Sequence, residues 1–221
     1  MPIGNKKGVY IAVLNQGAIR PELSLLLQEL PQQNKYELHI TYPAYKPITQ
    51  NRNKIVQDFL TRPEFDYLIM IDSDNVPQTN LLDLVDYQKD IIGVFYCGFQ
   101  KNMIIPYVMK EAPDGLLKVM DIRNKQGLVE CDAVGTGVIV IKREVLEKLK
   151  FPFRNEYDED GIKLWGLDFN FCKRARKLGF KVYCHLDHIT SHWVTVDLKD
   201  YYAVVLENDQ LKKQLKQGKN K

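Results

Sequence analysis

Long hydrophobic runs are absent from the sequence, and cysteines are few. No apolar run approaches the ~20 residues that a membrane-spanning helix needs, so no transmembrane segment is predicted. The N-terminal residues have no small-residue cleavage site and predict a first strand rather than a signal peptide. The cysteines form no Cys-x-x-Cys pair, and we expect reduced thiols and a cytoplasmic location rather than disulfides; the four are Cys97, Cys131, Cys172 and Cys184.

An excess of one charge sign is also nearly absent. The 221 residues hold 31 Lys and Arg against 28 Asp and Glu, a net charge of +3. Residues 207–221 contain five Lys, one Glu and one Asp, so the rest of the chain is neutral overall. A nucleic-acid partner is therefore not predicted. The Lys-rich end is expected to be solvated or to touch an anionic surface.

The hydrophobic pattern of the first hundred residues alternates between strand and helix spacing. Its β-α-β-α-β-α-β order predicts a mainly parallel central sheet with flanking helices, a Rossmann-like α/β fold. The predicted strands cover residues 9–14, 36–42, 67–71 and 91–96. The first helix between them begins at Pro21, the second includes Ile55 to Leu60, and the third includes Leu81, Leu82 and Val85.

The second half of the chain predicts shorter strands, a smaller second sheet and one long polar loop. We predict one domain over residues 1–199, with halves 1–100 and 101–199, followed by a C-terminal helix and Lys-rich tail over 200–221. The near-heptad spacing of Val204, Leu211 and Leu215 is too short for a stable coiled coil, and it leaves packing on a second subunit open. The predicted strands cover 104–109, 116–122, 128–134, 138–141 and 180–184, the helices 143–149 and 168–178, and the loop 152–166.

Two acidic residues follow the apolar run at 67–71. Asp72 and Asp74 stand where a buried strand of a parallel sheet ends, which is where such sheets bind ligands. Carboxylates in this spacing can share Mg²⁺ or Mn²⁺, with phosphate oxygens completing the metal's coordination. A metal-free surface turn is the alternative interpretation.

Further segments give this pattern a family resemblance. They read QNRNKIVQDFL before the acidic pair, IIGVFYCGFQ after it, then VGTGVIVIKREVLEKL, and LWGLDFNFCKRARKLGF followed by KVYCHLDHITSHW. In this order they resemble the family-2-like GT-A glycosyltransferases. The resemblance implies a GT-A fold and sugar transfer from a nucleoside-diphosphate sugar, with UDP as the default, to a hydroxyl of a glycan, lipid-linked or protein acceptor.

The chemistry of such a transfer suits the acidic pair. A diphosphate leaving group needs charge stabilisation, which a bound Mn²⁺ or Mg²⁺ supplies. Asp74 is the predicted direct ligand, and Asp72 is expected to reach the metal through water or to bind the ribose. The resemblance also implies a histidine ligand, for which His192 is the matching residue and His188 the alternative. A zinc cluster that combines these histidines with Cys184, His185 and Asp187 matches no known structural zinc spacing.

The resemblance assigns the general base to Asp168. It matches the second acid of the family's Glu-Asp pair, while Leu167 replaces the first, so Asp168 is expected to be the sole base of an inverting transfer. Helix N-capping is the alternative role for Asp168, and a retaining mechanism stays open.

The remaining site residues are expected at strand ends and in the second half. Glycines at 135 and 137 would let a sugar approach the backbone closely, and Trp165 can stack on a sugar or merely pack. Arg52 matches a family segment that reaches the nucleotide, but a solvated helix position is the alternative. The predicted donor-binding residues are Asn15, Gln16, Tyr42, Arg52, Asn53, Asp72 and Ser73, and the acceptor-binding residues are Gly135, Thr136, Gly137 and Trp165.

Other functions fit the sequence less well. The run Asp72-Ser73-Asp74-Asn75-Val76 matches the motif of HAD-type phosphatases, but it follows the third strand rather than the first. A sugar nucleotidyltransferase is disfavoured because LNQGAIRPEL lacks the Gly-rich loop that such enzymes place after strand one. A GT-A-like protein that binds nucleotide or glycan without turnover remains open because of Leu167.

Overall fold

The computed structural model describes residues 7–15, 17–100, 103–202, 204–206 and 209, with only the backbone at position 100. The helices are α1 (Pro21–Glu29), α2 (Ile48–Leu60), α3 (Leu82–Asp86), α4 (Arg143–Lys148) and α5 (Leu167–Lys177). The strands are β1 (Gly8–Leu14), β2 (Glu37–Thr41), β3 (Phe65–Asp72), β4 (Asn75–Pro77), β5 (Ile91–Phe95), β6 (Cys97–Gln100), β7 (Met103–Pro106), β8 (Val108–Glu111), β9 (Leu117–Val119), β10 (Leu128–Cys131), β11 (Ala133–Val134), β12 (Val138–Lys142), β13 (Glu156–Tyr157), β14 (Lys163–Trp165) and β15 (Val182–His192).

An eight-stranded sheet forms the centre of the molecule. Its order is β10-β15-β5-β12-β3-β1-β2, with β4 paired to β15. The pairs β1–β2, β1–β3 and β5–β15 are parallel, and β12 runs antiparallel between β3 and β5. A three-stranded sheet of β11, β8 and β9 and two hairpins complete the fold. The expected α/β class, with a mainly parallel central sheet and a smaller one, is confirmed.

The middle strands are buried on both faces. All seven residues of β1 are buried, as is β3 from Tyr67 to Ile71. Helices α2, α4 and α5 pack on one face of the sheet, and α1 and α3 pack on the other. Strands covered in this way read as continuous apolar runs, which is why the sequence pattern located them. Their carboxyl ends meet at one edge of the sheet.

Several predicted elements differ in extent. The polar segment 152–166 contains the hairpin of β13 and β14. The predicted strand over 128–134 divides at Asp132, where the chain changes its partner from β15 to β8. The strand predicted over 180–184 continues as β15 to His192 because β4 provides a pairing partner for its last residues.

The chain after β15 is helical at residues 198–202 and 204–206. Val204 is buried, whereas Leu211, Leu215 and the rest of the Lys-rich tail lie outside the described residues. No helix in the described part of the chain is long and apolar enough to cross a membrane. All four cysteines are free thiols, as expected.

Candidate active site

The acidic pair stands at the edge where the parallel strands end. Asp72 closes β3, and its backbone N–H donates to the carbonyl of Gly137 at 2.7 Å. The N–H of Ser73 donates to the carbonyl of Leu14 at the end of β1, at 3.0 Å. The turn that carries Asp74 is therefore held between two neighbouring strands, in the position the sequence predicted.

Arg52 on α2 is tied to Asp72. Its Nη2 donates to both carboxylate oxygens of Asp72 at 2.9 Å, and the arginine is only 2% exposed. Burial raises the pKa of Asp72 to about 6, the charges of Asp168 and Asp74 act in the same direction, and Arg52 opposes them. Burial excludes the solvated helix position that was the alternative for Arg52, whereas its contact with a nucleotide stays a prediction.

Asp74 faces His192 across a short gap. The Nε2 of His192 lies 3.8 Å from Oδ2 of Asp74, and its Nδ1 lies 2.9 Å from the carbonyl oxygen of Cys97. A carbonyl partner favours a proton on Nδ1, which leaves the lone pair of Nε2 directed at a carboxylate. The contact raises the pKa of His192 and lowers that of Asp74. Two electron-pair donors that face each other suit a shared proton or a metal ion.

The other histidines of β15 point elsewhere. Nδ1 of His188 lies 2.6 Å from the hydroxyl of Thr79, and Nε2 of His185 lies 2.9 Å from the hydroxyl of Tyr87. Pairing of β15 with β5 is irregular between residues 185 and 189, so His188 does not share a site with His192 as an extended strand would allow. Among the described residues no group of three or more His, Cys, Asp or Glu could hold a metal, so the zinc cluster is not formed.

Asp168 stands in the first turn of α5. It accepts hydrogen bonds from the Thr136 hydroxyl at 2.6 Å and the Thr136 N–H at 3.4 Å. The N-cap of α5 is Gly166, with no side-chain cap, so Asp168 does not take the capping role that was its alternative. Asp168 lines a pocket of about 350 Å³, whose other lining residues are Tyr107, Asn155, Lys163, Gly166, Leu167 and Phe169.

The glycines at 135 and 137 are in close contact with side chains of the protein itself. A Cβ at Gly135 would lie 2.1 Å from the hydroxyl oxygen of Tyr96, and one at Gly137 would lie 2.8 Å from Oδ1 of Asn75. Thr136 between them is fully buried. The side chains of Tyr96 and Asn75 therefore require glycine at both positions, and the acceptor-binding role of this segment stays a prediction.

Tyr96 is a site residue that the sequence analysis missed. Its hydroxyl oxygen accepts from the N–H of Gly137 at 3.0 Å, and its ring stands edge-on to His192 with centroids 5.5 Å apart. Burial and the charge of Asp168 raise the pKa of Tyr96 well above its usual value. Its position directly after β5, at the same sheet edge as Asp72, is the signal that could have identified it.

The remaining predicted donor residues serve mainly to join loops. The side-chain amide of Asn15 donates to the carbonyl of Tyr42 at 3.0 Å, which fastens the loops after β1 and β2 together. The ring of Tyr42 is half exposed and lines a pocket of about 540 Å³ beside α2. The side-chain amide of Asn53 donates to the Phe153 carbonyl at 2.6 Å and accepts from the Phe153 N–H at 3.2 Å, and its predicted nucleotide contact stays a prediction. Gln16 lies outside the described residues.

Two aromatic–cation contacts flank the site. The ring of Trp165 is covered by the ammonium group of Lys173, 4.9 Å from the ring centroid. The guanidinium of Arg20 lies 3.9 Å from the ring centroid of Trp193, whose N–H donates to the Asp74 carbonyl at 2.9 Å. Arg20 and Trp193 were not predicted. The backbone N–H of Arg20 donates to the Ser73 carbonyl at 3.4 Å, and its guanidinium lies 3.6 Å from the Glu22 carboxylate.

No protein-family model and no curated protein matches the sequence. Solved structures are similar in fold. A197 from STIV aligns with a TM-score of 0.57 at 19% identity, covering 85% of this chain and 86% of its own. GalNAc-T7, solved with UDP, GalNAc and Mn²⁺, aligns with a TM-score of 0.52 at 15% identity. That alignment covers 91% of this chain and 48% of GalNAc-T7. The expected GT-A fold is thereby confirmed.

Proposed function

We propose that the protein is a metal-dependent glycosyltransferase that moves a sugar from a nucleoside-diphosphate sugar to a hydroxyl acceptor. The observation that carries the proposal is the approach of His192 Nε2 to Asp74 Oδ2 at 3.8 Å, at the carboxyl edge of the sheet. Asp72 lies near enough to Asp74 and Asp168 for their charges to raise its pKa. The shared fold with GalNAc-T7, whose structure contains UDP, GalNAc and Mn²⁺, supports the same class of chemistry.

The donor atoms near Asp74 fit a divalent cation. An Asp74 oxygen and the Nε2 of His192 face each other at 3.8 Å, and a carboxylate with an imidazole suits Mn²⁺. Two protein ligands leave coordination positions for diphosphate oxygens and water. Both oxygens of Asp72 are held by Arg52, which supports a water-mediated or ribose-binding role for Asp72. When bound, the cation would neutralise the charge that develops on the departing diphosphate.

Asp168 supplies the proton acceptor in this proposal. The acceptor hydroxyl gives its proton to the Asp168 carboxylate as its oxygen attacks the anomeric carbon. The bond from that carbon to the nucleoside diphosphate breaks in the same step, so the configuration inverts. Hydrogen bonds from Thr136 fix the orientation of the carboxylate, and its pocket of about 350 Å³ provides space for an acceptor group.

A variant pair tests this assignment. Release of UDP from a panel of UDP-sugars with Mn²⁺ and simple sugar acceptors is measured, together with the Kd of UDP by calorimetry. Asp168→Asn is expected to lower the release rate by about two to four orders of magnitude, because a positioned base contributes that much, and to leave the Kd unchanged. Asp160→Asn, an exposed residue of the β13–β14 hairpin, is the control and is expected to retain full activity.

Two results would contradict the proposal. Equal rates for Asp168→Asn and the unchanged protein would remove Asp168 from the chemistry. Tight UDP binding by the unchanged protein, with no release from any donor, would indicate a nucleotide-binding protein without turnover.

A further inference from the structure

A cavity of about 280 Å³ lies between α5 and the chain around the start of β13, and is called here the α5 cavity. Its lining residues on α5 recur at i, i+3, i+4 and i+7, so they share one face of the helix. These residues are Asn170, Lys173, Arg174 and Lys177. The rest of the lining comes from residues 154–156. One helical face and one short segment therefore form the whole cavity.

Positive charge dominates the α5 cavity. Its lining contains four cationic side chains and a single carboxylate, that of Glu156. Glu156 is paired with Lys173, whose Nζ lies 3.0 and 3.2 Å from the two carboxylate oxygens. Arg174 instead donates to the backbone carbonyls of residues 150–152 at 2.6 to 3.1 Å. Carbonyls carry no net charge, so the positive charge of Arg174 is not neutralised.

Arg154 and Lys177 add two further unneutralised cations. Both residues are exposed, and neither forms an ion pair with another residue in the part of the chain that the structure describes. Burial lowers the pKa of Arg174, the charge of Arg154 acts in the same direction, and Glu156 opposes them. The acidic residues 158–160 in the turn of the β13–β14 hairpin lie outside the lining of the cavity. An anion bound beside these like charges would relieve their repulsion.

Asn155 connects the α5 cavity to the candidate active site. It lines both this cavity and the pocket of about 350 Å³ that contains Asp168. Along α5, Lys173 and Lys177 follow Asp168 by about 8 and 14 Å, at 1.5 Å per residue. This separation exceeds the width of one sugar ring, so a glycan that reaches both places has at least two sugar units.

We propose that the α5 cavity binds an anionic group, a carboxylate or a phosphate, on a second or later sugar unit of an oligosaccharide acceptor. The assignment rests on the proposed function, because that function places the reacting hydroxyl at Asp168. Arg154 and Lys177 bind the anion directly, and Arg174 contributes its charge. A neutral acceptor leaves these cations uncompensated, so the protein selects acidic oligosaccharides.

Calorimetry with three matched disaccharides tests the α5 cavity without requiring turnover. Cellobiose is the neutral probe, cellobiouronic acid carries a carboxylate, and cellobiose 6′-phosphate carries a phosphate. With UDP and Mn²⁺ present, at least one acidic disaccharide is expected to bind about tenfold more tightly than cellobiose, through two charge contacts. High salt is expected to remove this preference because it screens the charges. The tighter of the two acidic probes identifies which anionic group the cavity takes.

A double variant tests the two cations directly. Arg154→Gln, Lys177→Gln is expected to raise the Kd of the acidic disaccharide about tenfold and to leave that of cellobiose unchanged. The control is Arg123→Gln, Lys125→Gln, which removes one arginine and one lysine between β9 and β10 and is expected to bind within about twofold of the unchanged protein. All four positions are exposed, so both variants are expected to keep the fold, which circular dichroism checks.

Equal Kd values for cellobiose and both acidic derivatives, or equal losses in the two double variants, would overturn the proposal. So would an Arg154, Lys177 variant that binds UDP more weakly and acidic disaccharides normally, which would assign these cations to the donor. Failure of the proposed function gives a different result. Selective binding of an acidic disaccharide that requires both cations, without UDP release from any donor, would support the α5 cavity and contradict sugar transfer. UDP release that is equally fast with cellobiose and its acidic derivatives would do the reverse.

Discussion

Nη2 of Arg52 lies 2.9 Å from both carboxylate oxygens of Asp72, and the arginine side chain is only 3% exposed. The pair joins the middle of α2 to the carboxyl end of β3, beneath the turn that carries Asp74. A buried guanidinium whose single Nη2 donates to both oxygens fixes the orientation of the carboxylate. The first acid of the D-x-D pair is therefore positioned by the protein before any ligand arrives.

Removing the guanidinium of Arg52 is expected to destabilise the fold. Arg52→Met leaves the Asp72 carboxylate without its partner, at an expected cost of about 3 kcal/mol in the free energy of unfolding. The matched control is Arg123→Met, which breaks the exposed pair of Arg123 with Asp121 and is expected to cost less than about 1 kcal/mol. Urea unfolding measures both. Equal losses in the two variants would show that the buried pair has no special role.

The Thr136 hydroxyl is expected to act through Asp168. Thr136→Val removes the 2.6 Å hydrogen bond to Asp168 while keeping the shape of the buried side chain. We expect kcat for sugar transfer to fall about tenfold, because a misoriented base transfers protons less well, with no change in donor Kd. Thr136→Ser keeps the hydroxyl and is expected to keep most of the rate. A Ser variant as slow as the Val variant would contradict a positioning role.

Acid is expected to destabilise the protein partly through His185. Burial lowers the pKa of His185, with Asp187 opposing, and its Nδ1 has no hydrogen-bond partner among the described residues. The unfolded chain then binds the proton more readily than the folded chain. The contribution of neutral His185 to the free energy of unfolding is therefore fully present above a pH of about 6.5 and is lost as the pH falls below it. His185→Gln cannot take up this proton and is expected to show a shallower decline in urea midpoint between neutral and acidic pH. An unchanged slope would contradict the assignment.

The sequence predicted the elements better than their partners. The apolar runs of β1, β3 and β12 identified buried strands. A continuous apolar run indicates that a strand is buried but not which strands lie beside it, so the insertion of β12 between β3 and β5 was not predictable. The strand-end rule located Asp72 and Asp74 correctly, because it depends only on where an apolar run stops.

Side-chain partners were harder to predict. Helical spacing gave no sign that Arg52 turns inward to Asp72 rather than outward. Gly135 and Gly137 indicated that space was needed, yet their spacing could not show that Tyr96 and Asn75 fill it. The resemblance already favoured His192 over His188, but the irregular pairing within β15, with His188 at Thr79, leaves no mark in the sequence.

Metal-dependent binding of a nucleoside diphosphate tests the central claim most directly. The melting temperature is measured with UDP, GDP, CDP or dTDP, each with Mn²⁺ or with EDTA, for the unchanged protein, His192→Ala and His188→Ala. One nucleotide at a hundredfold excess over its Kd is expected to raise the melting temperature by about 5 °C or more, only with Mn²⁺. The His188→Ala variant is expected to keep this shift and the His192→Ala variant to lose most of it. No shift with any of the four nucleotides, or an equal shift in EDTA, would contradict the account.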